Sequence, residues 1–366
     1  MQRIDLFKHS LDVLRALRYP TGLFAAAMCN STGYHRIWIR DTVYAATAFE
    51  GLDDGVVISC YRALLDLLLT HEHKLDQALR ESPKHSKDYL HPRYDHATLS
   101  ELDGEWGNKQ NDAVGLLLFK LSQLTRLNYR IVQDRSDIRV LQKLVYYLEA
   151  IDYWRDRDNG IWENEEEVHA SSVGACVAGL KEARKVAFLL QDGSSYRLTV
   201  PAALIARGER TLAALLPRES PKKSIDLALL SLIWPFKLVD KAMACTIIER
   251  VEEMLVRTRG MIRYPGDDYY ASKHGEAEWP MGFAWLAICH AQLGHEDTAV
   301  HYFRKAVEQL NERDELPELY LARSEEHNTN CPLAWGQAML VVAGTQLGAF
   351  AAPYQPIQLY ALYSPS

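Results

Sequence analysis

Two observations on the 366-residue sequence predict an all-α fold. Apolar residues recur at helical spacing almost throughout, and the chain has neither a series of alternating strands nor a Gly-rich dinucleotide or phosphate loop after a strand. A doubly wound sheet therefore lacks its raw material. The 48% of apolar residues is ample for a continuous core, which excludes disorder for most of the chain.

Taken in order, the first helix is expected over 4–18, where Phe7, Leu11 and Leu14 share a face interrupted by charges. Those charges exclude the apolar core of a signal peptide. Helices follow over 41–50 and 55–71, with Asp54 and Gly55 separating them, and then over 112–123. Ile138, Leu141, Leu144, Val145, Leu148 and Ile151 form one broad apolar face, and similar segments cover 172–187, 201–215, 225–234 and 239–256. Gly294 followed by HED ends a helix over 281–293 and starts one over 297–310, as in an antiparallel pair, and 333–347 completes a set of about twelve helices. The polar stretches QDGSSYR (191–197) and PRESPKKS (217–224) are expected to be exposed loops within one domain over residues 1–366.

Composition narrows the function. The net charge of −7 is spread widely, with no Lys and Arg run able to track a phosphate backbone, so nucleic acid is excluded as a partner. No stretch approaches 18 residues without charge, which argues against a membrane span. Six cysteines stand singly, without CxxC pairs or the density of a disulfide scaffold. A reduced compartment, and hence a cytoplasmic protein, is the expectation. The 8 Trp and 19 Tyr supply flat amphipathic side chains suited to sugar rings.

The informative residues lie between helices, in GYHRIWIRD (33–41), LDGEWGNKQND (102–112), DNGIWENEEE (158–167), RYPGDDYYASKHGEAEWP (263–280) and ELPELYLARSEEHNTNCPLAW (315–335). Long loops on a rigid scaffold are where a site is assembled. Glu163, beside Trp162, is partly shielded from water and suits a proton donor; the alternative is that it opens the next helix and complements its dipole. Glu318 lies among Leu316, Pro317, Leu319 and Tyr320, unusually apolar surroundings for an acid, unless the loop is solvated. Facing each other across a pocket, the two acids would permit displacement by an activated water or a covalent route. Arg40 and Asp41 after Trp38 form a donor–acceptor unit for sugar hydroxyls, or an ion pair at a helix start. Arg263 before Tyr264, and Glu278 with Trp279, make similar polar and aromatic assemblies. Neither metal nor cofactor is expected: Glu165 and His169 at i and i+4 are too few for zinc, and His91, Asp95 and His96 are a weak set. A serine or cysteine nucleophile lacks a sequence-defined base, and GxSxG is absent.

The order of PTGLFAA, WIRD, WGNKQNDA, DNGIWEN, RYPGDDYY, EWP, LPEL and PLAW resembles the glucoamylase-type glycoside hydrolases of family 15 and the related regulatory subunits of phosphorylase kinase. The resemblance spans nearly the whole chain and implies an (α/α)6 barrel. It implies that Glu163 is the general acid and Glu318 the general base of an inverting reaction. It also places Arg40 and Asp41 against the non-reducing glucose, Arg263 around the scissile linkage, and Trp106, Trp162 and Trp279 in the sugar-binding wall. Asn164 stands where many fungal glucoamylases carry a second acid. Neither a β-sandwich nor a starch-binding module is expected at this length. A small α-glucoside such as isomaltose or a short maltodextrin is therefore expected rather than granular starch. VHASSVGACVAGL also resembles the regulatory branch, which implies a non-catalytic carbohydrate-binding or regulatory protein as the alternative; retention of both acids argues against it.

Overall fold

The computed structural model describes residues 3–104, 106–190 and 197–349, so most of the loop expected over 191–197 lies outside the described residues. The helices are α1 (Arg3–Ala16), α2 (Ile39–Thr47), α3 (Asp54–Thr70), α4 (Glu72–Arg80), α5 (Asn111–Arg126), α6 (Arg135–Ala150), α7 (Ala170–Val186), α8 (Ala202–Leu215), α9 (Lys241–Leu255), α10 (Met281–Leu293), α11 (Glu296–Val307) and α12 (Ala334–Gln346). Two short strands, β1 (Ile37–Trp38) and β2 (Arg93–Tyr94), pair antiparallel and set Trp38 opposite Arg93.

Six elements are buried on almost every side: α2, α5, α7, the 3₁₀ segment Leu227–Leu232, α10 and α12. A helix apolar all round must sit inside the molecule. Each of the six packs on the next in that order, and α12 returns to α2, closing a ring. Outside it, α1 packs on α12, α3 on α2, α6 on α5 and α3, α8 on α7, α9 on the 3₁₀ segment and α11 on α10. Outer and inner elements alternate along the chain, so this is an (α/α)6 barrel of six helical hairpins.

Asp side chains start several helices: Asp53 accepts from the Val56 amide at 3.2 Å, Asp134 closes a capping box with Asp137, and Asp240 accepts from Met243 at 2.8 Å. Gly294, at φ 81°, ends α10 as its sequence position predicts. The structure departs from the sequence reading in four places. Asp54 and Gly55 lie in the first turn of α3 rather than before it. Helix α4 is additional, its buried side limited to Leu75 and Ala78 and too narrow to register as a periodic face. The segment expected over 225–234 is a 3₁₀ turn capped by Asp226. PRESPKKS is not wholly exposed, because Glu219 and Ser220 are buried beneath the loop that carries Glu163.

The long loops precede α2, α5, α7, the 3₁₀ segment, α10 and α12. Alternation of outer and inner helices brings the N-termini of all inner elements to one end of the barrel. Positive helix ends therefore converge where the acidic loops gather.

Candidate active site

A cleft at that end is lined by Tyr34, Trp38, Arg40, Asp41, Trp162, Glu163, Arg263, Trp279, Glu318 and Trp335, with Ala26, Ile161 and Leu333 between them. Counting its open mouth, it holds about 430 Å³. Glu163 arrives on the loop before α7 and Glu318 on the loop before α12. These two helices are three places apart in the ring of six, so the acids enter the cleft from opposed positions.

The turn that presents Glu163 is tied to itself. Asp158 and Glu167 pair as an antiparallel bridge, Asn164 N–H donates to the Asn159 carbonyl at 2.9 Å, and Asn159 Nδ2 donates to the Asn164 carbonyl at 2.6 Å. Glu163 sits at φ 61°, a left-handed conformation costing on the order of 1 kcal/mol for a residue with a Cβ. Its Oε1 accepts from Trp38 Nε1 at 2.8 Å and Arg40 Nη2 at 3.0 Å, and its Oε2 accepts from Trp106 Nε1. It does not open a helix, since α7 begins only at Ala170.

Glu318 is 1% exposed, not a solvated loop residue. Its Oε1 accepts from Tyr34 at 2.7 Å and from Tyr269 at 3.5 Å; its Oε2 accepts from Asn330 Nδ2 at 2.7 Å and from Asn328 Nδ2. Burial pushes its pKa up, with Asn330, Asn328, Tyr34 and the Arg263 charge opposing. A carboxylate so placed binds a proton more readily than one in water.

Arg40 reaches Gln110 at 3.0 Å, Asp112 at 2.9 Å and Glu163, and makes no ion pair with Asp41. Asp41 does not cap α2, whose N-cap is Trp38. Among the described residues no neighbouring side chain donates to its carboxylate, which lines the cleft with acceptor capacity to spare. Burial pushes it up to about 7, with Arg40 opposing and Glu163 and Glu318 adding to the rise. Near neutrality it can therefore both donate to and accept from a hydroxyl.

Arg263 is gripped by Asp267 through two bonds of 2.6 Å and faces the rings of Tyr269, Trp279 and Trp162 at 4.8, 5.1 and 5.5 Å. Trp162 donates to Asp226 at 2.6 Å and stacks on Trp335 at 5.9 Å between ring centres. The floor is thus a set of fixed aromatic faces carrying a few aimed polar groups, the composition of a site for an amphipathic ring.

Eight of the ten residues singled out in the sequence line this cleft: Trp38, Arg40, Asp41, Trp162, Glu163, Arg263, Trp279 and Glu318. Trp106 stands at the mouth and joins through its bond to Glu163. Glu278 is corrected: its carboxylate turns away from the cleft and accepts from the backbone amides of Arg259 and Arg323, so it braces two loops. The neighbouring acids also disperse, Glu165 to Lys222, Glu166 to Lys109 and Glu167 to Ser220 and Lys222. Among the described residues no three metal-ligating side chains gather. Sequence reasoning passed over Tyr34, Asn328, Asn330 and Trp335, although all four lie inside the quoted loops. The alternation of Asn328 and Asn330 was the one available signal, since residues two apart in extended chain share a side.

Residues 5–347 match the family model for glycosyl hydrolases family 15. The chain is 28% identical over 412 aligned residues to a probable phosphorylase b kinase regulatory subunit alpha of Drosophila melanogaster, covering 93% of this chain and 32% of that protein. It thus spans about a third of the length of that relative. A glycosidase variant solved in complex with glucose superposes with a TM-score of 0.81 at 22% identity, covering 94% of this chain and 97% of the other. A bacterial glucoamylase complexed with acarbose gives 0.70 at 18% identity, covering 94% of this chain and 55% of the other. At these identities the solved structures show a shared fold.

Proposed function

Since the chain belongs to family 15 of the glycosyl hydrolases, we propose that it is an inverting, exo-acting α-glucosidase that removes glucose from short gluco-oligosaccharides such as isomaltose or maltodextrins. The observation that carries this reading is the entry of Glu163 and Glu318 into one aromatic cleft from opposed places in the ring. Arg40 and Asp41 meet the hydroxyls of the terminal sugar, Trp162, Trp279 and Trp335 pack its faces, and Arg263 holds the region of the linkage.

In the reaction Glu163 gives its proton to the glycosidic oxygen as the bond from that oxygen to the anomeric carbon breaks. Glu318 takes a proton from a water whose oxygen bonds the same carbon from the opposite face, giving glucose of inverted configuration and a shortened alcohol. The two bonds on Glu163 Oε1 come from buried donors, whereas Trp106, the donor to Oε2, is 44% exposed. The leaving oxygen therefore takes the place of Trp106. On Glu318 the weakest bond is the 3.5 Å contact from Tyr269, and that is the position open to the attacking water.

Purified protein is expected to release β-glucose from isomaltose or maltotriose, followed by anomer-resolved NMR. Glu163→Gln and Glu318→Gln should each lower kcat by at least about 100-fold with an unchanged circular dichroism spectrum. Full turnover in both variants would falsify the assignment. The similarity to phosphorylase kinase regulatory subunits favours a second reading, a carbohydrate-binding regulatory protein; calorimetric binding of these sugars without any product would establish it instead.

A further inference from the structure

Three arginines stand near the two acids, and among the described residues one of them has no hydrogen-bond acceptor for its guanidinium. Arg40 is paired with Asp112 and Glu163, and Arg263 with Asp267. Arg93, directly across from Trp38 in the β1–β2 pair, is only 6% exposed, yet among the described residues no carboxylate, carbonyl or hydroxyl accepts from its guanidinium. The plane is instead held by the Trp106 and Trp38 rings, 4.5 and 5.5 Å from its central carbon to their centres, and among the described residues its buried Nε has no acceptor. A guanidinium has five N–H donors and a permanent charge, and stacking on indole faces satisfies none of the donors. Burial weighs against the charge, with Glu163 and Tyr34 the nearest groups that favour it.

Arg93 does not line the cleft but stands beside it, against the lining residue Trp38 and against Trp106 at the mouth, and this place gives the missing acceptor a direction. Both indoles that hold Arg93 also donate to Glu163, the group assigned to the leaving oxygen, and Trp106 is the exposed member at the mouth. Arg93 therefore stands on the side from which the departing alcohol leaves, away from the Asp41 carboxylate that meets the retained sugar. The Glu163 oxygens accept from Trp38, Arg40 and Trp106 and not from Arg93, so the donors of the Arg93 guanidinium stay open. An oxyanion with two terminal oxygens on one centre, a carboxylate or a phosphate, would supply both the charge and a pair of acceptors for the guanidinium fork.

We propose that Arg93 is a specificity-determining residue for the leaving group, and that the preferred substrate is an α-glucoside whose departing part carries a carboxylate or phosphate. This rests on the glycosidase reading of the cleft, and the test separates the two.

Matched pairs of substrates supply the probe: trehalose against trehalose 6-phosphate, and isomaltose against the aldonate made by oxidising its reducing end. The charged member of at least one pair is expected to have a kcat/KM at least roughly tenfold higher, as befits one charge-assisted bond; the pair that responds distinguishes phosphate from carboxylate. In Arg93→Gln the ratio should fall to about one or below, and Arg93→Lys, which keeps the charge without the fork, should retain part of it. Equal rates within both pairs in the wild-type protein overturn the proposal without reference to any variant. An Arg93→Gln change that lowers charged and neutral members by one factor also overturns it and leaves Arg93 a prop between two indoles. If no member is hydrolysed, the glycosidase reading fails, and calorimetry on the same pairs decides this point alone: tighter binding of the charged member supports it and equal binding rejects it.

Discussion

Glu318 shows what a single side chain owes to its surroundings. In the reaction proposed above, ionised Glu318 is the base and sets the acidic limb of the pH profile, so kcat/KM should rise as pH climbs through its pKa, which burial holds above the usual glutamate value. Asn328 Nδ2 donates to the ionised form and pulls that pKa down. Asn328→Ala removes the donor, and the limb should move upward by about one unit, because a hydrogen bond to a charged group is worth roughly 1.5 kcal/mol or more. Rates measured between pH 4 and 8 check this; a limb that stays in place or moves down would show that Asn328 does not tune the base. The sequence made Glu318 conspicuous through its apolar neighbours, but Tyr34 lies 284 residues away from it in the chain and could be identified only in space. Glu278 illustrates the converse, since its place beside Trp279 suggested a ligand while its carboxylate serves two backbone amides.

At the scale of elements, the contact between α5 and α7 fixes how the Glu163 loop is delivered. Gly115 and Gly179 let the two backbones approach so closely that a Cβ on Gly115 would stand 2.4 Å from the carbonyl carbon of Ala175 and from the amide of Cys176. Backbone atoms on both sides leave nothing flexible to give way. Gly115→Ala should therefore cost at least about 1–3 kcal/mol, seen as a lower midpoint in urea unfolding, where the same change on an exposed helix would stabilise. An unchanged midpoint would mean the helices can part without loss. The helices themselves were legible because each inner one carries a long apolar run and each outer one an apolar stripe. Helix α4 was hidden because two buried side chains in nine residues leave almost no period to detect.

For the molecule as a whole, a buried charge network joins segments far apart in sequence beneath the cleft. His169 Nδ1 lies 3.3 Å from Glu219, which also accepts from Ser171 Oγ at 2.5 Å, while Asp158 accepts from the Asn111 amide at 2.9 Å. Burial alone would lower the His169 pKa, but the Glu219 bond and the Asp158 charge outweigh it and hold the imidazole at about 9, with Lys223 opposing. Asp158 is itself pushed up to about 7 by burial, with His169 opposing. Both folded values lie above the unfolded ones, so both contributions to stability are lost as pH rises, that of the histidine between about 6.5 and 9. The stability gap between wild type and His169→Gln should be widest below pH 6.5 and close towards pH 10 in urea titrations; a gap that widens with pH would reverse the assigned charge.

The sequence by itself determined the helical class, the places of nearly all the helices and the two acids most suited to chemistry, because periodicity and local polarity are properties of neighbouring residues. Only the tertiary structure decided that α7 and α12 lie opposed in the ring, that Tyr34, Asn328 and Asn330 converge on Glu318, and that Arg93 is buried with no acceptor among the described residues. These depend on closing loops of tens to hundreds of residues, and packing, not local propensity, selects which side chains meet when they close.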